Sequence, residues 1–77
     1  MEGLRNTILK ERNRRGWTQD ELAKRSGVSR LTIQKLESHA KDVKMSIVEK
    51  IAEGFGLTTF GFLTLVTSNK NETRGKD

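Results

Sequence analysis

Apolar residues recur along most of this chain three and four positions apart, the spacing that lines one face of an α-helix. Leu4 and Ile8 begin such a stripe over about Leu4 to Arg15, and Arg12 continues it. Arg12, Arg14 and Arg15 gather at the end of that segment, where cations suit the negative end of a helix dipole. Gly16 then accepts the left-handed conformation that terminates a helix. A second start follows at Trp17-Thr18-Gln19-Asp20-Glu21-Leu22. Thr18 can cap, Glu21 completes a Thr-x-x-Glu capping box, and Trp17 can staple onto Leu22. This helix is short, about Gln19 to Arg25, because Ser26-Gly27 stops it. Ser29 is the next cap, and Arg30 to Glu37 forms a third helix with Ile33 and Leu36 inward. After a polar connection from Ser38 to Lys44, the stripe Met45, Val48, Ile51, Ala52 and Phe55 predicts a fourth helix closing near Gly54-Phe55-Gly56.

The stretch after Leu57 fits two templates. As a helix it places Phe62, Leu63 and Val66 on one stripe, with Gly61 inside it costing about 1 kcal/mol relative to Ala. As a strand it uses the β-branched residues Thr59, Thr64, Val66 and Thr67. Residues 68–77 are charged and carry no large apolar side chain, so they read as a flexible tail behind a domain at 1–67. The expected fold is all-α, a compact bundle of four to five short helices, with a C-terminal strand as the open alternative.

Composition narrows the chemistry. Seventy-seven residues make one small domain with a marginal core. The chain has no Cys and one His, His39, so a disulfide, a thiol nucleophile and a Cys/His metal site are excluded. No metal or cofactor is expected, and without an acid/base pair in a pocket neither is an enzyme. Apolar stretches fall far short of the roughly 20 residues that cross a membrane, and no signal-peptide pattern opens the sequence. A cytoplasmic location is the expectation. Fifteen Lys and Arg against ten Asp and Glu leave a net charge of +5, which favours a polyanionic partner. Trp17, Phe55, Phe60 and Phe62 are the only aromatics, too few for the stacking that single-stranded nucleic acid requires.

The most informative block is Gln19 to Ser38. Ala23 is small where two helices cross closely, and Gly27 supplies the positive φ of a tight turn. Leu22, Val28, Ile33 and Leu36 lock the second helix of the pair onto the first. Arg30, Leu31, Gln34 and Lys35 are left outward on one face, offering a guanidinium, an apolar group, an amide and an ammonium to the base edges of a major groove. Trp17-Thr18-Gln19-x-Glu21-Leu22-Ala23, Ser26-Gly27-Val28-Ser29, Thr32-Ile33 and Leu36-Glu37 together resemble the Cro and phage-repressor helix-turn-helix family, also called XRE. The resemblance spans roughly Leu4 to Leu63. Within that family the chain is similar to restriction–modification controller proteins, to HipB-type antitoxins and to small phage regulators.

The resemblance implies a lambda-repressor-like DNA-binding domain and a transcription regulator, a repressor or autoregulator, that binds a palindromic operator in double-stranded DNA as a homodimer. Gln19 matches the family's phosphate-contacting glutamine, and Arg30, Leu31, Gln34 and Lys35 match its base-reading positions. Arg12 and Glu37 match an ion pair that ties the first helix to the end of the recognition helix. Glu11 departs from the pattern, standing where the family usually has an aliphatic residue. Thr18, Ser29, Lys41 and Lys44 are further phosphate-contact candidates, and Phe60, Phe62, Leu63 and Val66 are expected at the dimer interface as apolar surface beyond what a monomer buries. The alternative function is an antitoxin that neutralises a partner protein and autoregulates its operon. RNA polymerase is a further candidate partner.

Overall fold

The computed structural model describes residues 2–38 and 43–72, which form α1 (Glu2–Arg15), α2 (Gln19–Ser26), α3 (Arg30–Ser38), α4 (Met45–Gly54) and α5 (Thr59–Glu72). Among the described residues there is no strand. The helix starts and stops follow from local chemistry. Gly16, with φ 72°, ends α1. Thr18 caps α2 by accepting a 3.1 Å bond from the Glu21 N–H, and Gly27, with φ 77°, closes it by donating to the Ala23 carbonyl. Ser29 caps α3 through the Thr32 N–H, and Thr58 caps α5 through the Gly61 N–H.

Leu4, Ile8, Leu22, Val28, Ile33, Leu36, Val48, Ile51, Ala52, Phe55, Phe62 and Val66 form one continuous core drawn from all five helices. α1 and α5 pack on each other, α2 packs on both α3 and α4, α1 also meets α3, and α4 also meets α5. α2 and α4 approach closely at Ser26 and Gly54. A Cβ on Gly54 would lie 2.8 Å from the Ser26 Cβ and 2.9 Å from its Cα. Trp17 packs against the core and makes ring contacts besides the expected staple on Leu22. Its ring stacks on Phe55 at 5.7 Å with the Arg25 guanidinium 4.4 Å from its centroid, and Phe55 stacks in turn on Phe62.

Of the two templates for residues 59–67 the helix is the one adopted, because Phe62 and Val66 fill the core on one stripe and Thr58 caps the start. Two other expectations need correction. That same stripe removes Phe62 and Val66 from the exposed interface expected of them: Phe62 is 0% exposed, whereas Phe60 is 81% exposed. Leu63 is half-buried and packs on the core. Nor does the ordered chain stop at residue 67. α5 continues to Glu72, and buried Asn69 donates to the Thr7 hydroxyl at 2.7 Å, which itself donates to the Gly3 carbonyl. Residues 73–77 of the expected tail lie outside the described residues.

Candidate nucleic-acid interface

The short loop between α2 and α3 fixes their geometry. Ser26 is buried at the end of α2; its hydroxyl donates to the Leu22 carbonyl and accepts from the Val28 N–H. Gly27 turns the chain, and Val28 plugs into the core. α3 is then held by Ile33 and Leu36, which are both buried. Because these lie three apart, the opposite side of α3 faces solvent. Arg30, Leu31, Gln34 and Lys35 are all exposed there, and Ser38 extends the stripe by one more turn. Ser38 had no place among the sequence candidates, since a small polar residue at a helix end gives no signal of its own. Leu31 is a large apolar side chain left 60% exposed in the middle of this polar face.

Behind α3 sits a network that ties three helices together. The Arg12 guanidinium engages the Glu37 carboxylate twice, Nε to Oε2 at 2.7 Å and Nη2 to Oε1 at 3.0 Å. Its Nη1 donates to the Trp17 carbonyl at 2.8 Å. Gln19, the first residue of α2, donates from Nε2 to Glu37 Oε1 at 2.9 Å. The residue expected to meet a phosphate is therefore held by the end of the helix expected to meet the bases. Both partners of the ion pair are largely buried, so the paired charges stand in place of water.

The remaining candidates spread around this face. Thr18 is exposed and already engaged as a cap, as is Ser29, whose hydroxyl also donates to Thr32 Oγ1 at 2.9 Å. Lys44 is exposed at the start of α4. Lys41 and His39 lie outside the described residues. One contact on the surface was not anticipated: the Arg30 Nε lies 3.6 Å from Asp20 Oδ1.

Glu11, the departure from the family pattern, is buried against Arg14 and Arg15. Burial alone pushes its carboxyl up, but hydrogen bonds and charge from Arg15 and Arg14 outweigh that and hold it below its ordinary value. Arg15 also donates from Nη2 to the Phe55 carbonyl at 3.0 Å, joining α1 to the end of α4.

A capped two-helix unit with a glycine turn, carrying an exposed and partly cationic face on its second helix, defines a DNA-binding transcription regulator of the helix-turn-helix class. The helix-turn-helix family HTH_3 matches residues 8–62, and the chain belongs to it. Two crystal structures of the restriction-modification controller protein C.Esp1396I share the fold. An arginine-to-alanine mutant in a trigonal crystal form superposes with a TM-score of 0.80 at 23% identity, covering 91% of this chain and 93% of that one. The wild-type controller gives a TM-score of 0.78 at 23% identity, covering 90% and 88%. No curated protein matches the sequence. Among the described residues no single helix is long and apolar enough to cross a membrane.

Proposed function

We propose that this regulator binds a palindromic operator as a homodimer, each protomer placing α3 in a major groove with Arg30, Leu31, Gln34 and Lys35 toward the base edges. The observation that carries this reading is the clean division of α3 into a buried side, Ile33 and Leu36, and an exposed side that bears every candidate base contact. Arg30 suits guanine, which offers two acceptors to a guanidinium, and Leu31 suits a thymine methyl. Gln19 sits at the N-terminus of α2, where free backbone N–H groups favour an anion, and is the proposed phosphate contact. Ser29, Thr18, Lys41 and Lys44 would add backbone contacts around it.

Dimerisation is supported by Phe60, a large aromatic left almost bare on α5 with exposed Thr64 one turn on and half-buried Leu63 beside it. Two copies joined there would read two half-sites, which in helix-turn-helix dimers lie about 34 Å apart, one turn of DNA. Repression would follow when the operator overlaps a promoter. Selection from random duplexes tests the reading. It should return inverted half-sites about one helical turn apart, and recovery of single, unpaired half-sites would exclude the dimer.

A further inference from the structure

We infer that Asp20 determines how Arg30 reads DNA, orienting its guanidinium toward a base edge and discouraging it from settling on phosphate. The inference deepens the proposal that α3 enters the major groove, and it rests on that proposal. Asp20 stands in the first turn of α2, next to Gln19, and Arg30 is the first residue of α3. The turn between the helices brings the Asp20 carboxylate to 3.6 Å from the Arg30 Nε. No hydrogen bond within the described residues occupies the two terminal nitrogens of Arg30.

This arrangement selects one mode of recognition. An arginine can meet a guanine through Nε and one terminal nitrogen, or end-on through both terminal nitrogens. A carboxylate on the Nε side leaves the end-on mode, which matches the paired O6 and N7 acceptors. At 3.6 Å the pair is an ion pair, not a hydrogen bond, and its side chains are 56% and 71% exposed in the free protein. Water screens it there. Displacing that water at a DNA surface strengthens the attraction.

The same carboxylate acts on the backbone. A negative charge beside Gln19 repels the phosphates near it, and non-specific binding is almost wholly phosphate attraction. One carboxylate about 8 Å from one phosphate in a water-like dielectric weakens binding about two- to threefold. A cognate site offsets that loss through the oriented guanidinium; a random sequence does not. Asp20 would thereby raise the ratio of specific to non-specific affinity although it touches no base.

The test measures binding to a selected operator, to its single-base variants and to random duplex, for wild type, Asp20→Asn, Asp20→Glu, Arg30→Ala and the double variant Asp20→Asn/Arg30→Ala. Asp20→Asn should tighten random-duplex binding about two- to threefold. It should also reduce the preference at the base pair that Arg30→Ala flattens, by about threefold or more. Asp20→Glu, which keeps the charge, should retain that preference. In the Arg30→Ala background the Asn change should leave base preference unaltered, because its effect runs through Arg30. If Asp20→Asn strengthens every duplex by one common factor and the preference stays intact, Asp20 is only a surface charge and the inference falls. A wild type that prefers no sequence would instead remove the DNA-reading proposal, and this inference with it.

Discussion

Arg12 and Glu37 tie α1 to the end of α3. The bidentate contact is largely buried, and Gln19 leans on the same carboxylate. Removing one partner leaves a buried charge without compensation, so Arg12→Ala or Glu37→Ala should each lower unfolding free energy by about 3 kcal/mol. Replacing both by apolar residues of similar volume should cost much less, and a double-mutant cycle in denaturant would read the coupling. Additive losses below about 0.5 kcal/mol would place both residues in effective contact with solvent. Glu11 makes a second, pH-dependent contribution. Its folded carboxyl lies below the ordinary value of 4.5 because Arg15 and Arg14 outweigh the opposing effect of burial. The stabilisation is therefore complete above the unfolded value and is lost as pH falls through the lower folded one. Glu11→Gln should reduce stability at neutral pH and flatten the acid side of the profile, as thermal melts across the acid range would show. Sequence showed Glu11 only as a misfit, since nothing in a linear pattern reveals that two arginines one turn on will fold back over it.

At the scale of elements, caps and glycines were the most legible features. Thr18, Ser29, Gly16 and Gly27 act through bonds to residues within a few positions, so their roles are written locally. Residues 59–67 were not legible in this way. Their β-branched content suits a strand and Gly61 weakens a helix, and the choice is made by distant partners: Phe62 packs on Phe55, and Asn69 bonds Thr7 on α1. Extension of the helix past residue 67 likewise depends on that contact with α1, because a polar stretch gives no hydrophobic signal. A second tight crossing, between Ser26 of α2 and Gly54 of α4, is a pairing across helices that spacing along the chain cannot reveal. Gly54→Ala would gain about 1 kcal/mol in helix propensity. The added Cβ collides with backbone and Cβ of Ser26, so the net change should be a loss of about 1–2 kcal/mol. Chemical denaturation measures it, and a stabilised variant would mean that α2 and α4 can part freely.

For the whole molecule, α5 divides into a core side with Phe62 and Val66 and a bare side with Phe60, and the proposed dimer would use the bare side. Phe62→Asp would bury a charge in the centre of the fold and should unfold the protein, since a single core substitution of this kind exceeds what a small domain tolerates. Phe60→Asp changes an exposed position and should leave the helical spectrum and melting temperature nearly unchanged while shifting sedimentation from dimer to monomer. A folded Phe60→Asp variant that remains dimeric would move the interface elsewhere. The exposed side of α3 was readable as a motif, because the alternation of Ile33 and Leu36 with outward residues is a property of one helix. Its supports were only partly readable: the Glu37 bond to Gln19 and the approach of Asp20 to Arg30 arise from the angle between helices. In the proposed binding mode the exposed side of α3 reads sequence while the start of α2 holds the backbone. It is tested most directly by comparing the base preferences of Arg30→Ala and Gln19→Ala with those of wild type across all single-base variants of a selected operator. Arg30→Ala should cost about 1–3 kcal/mol on the operator and abolish preference at one position of each half-site. Gln19→Ala should weaken every duplex alike, as loss of a phosphate contact does. An Arg30→Ala protein with wild-type preferences at every position would contradict the account.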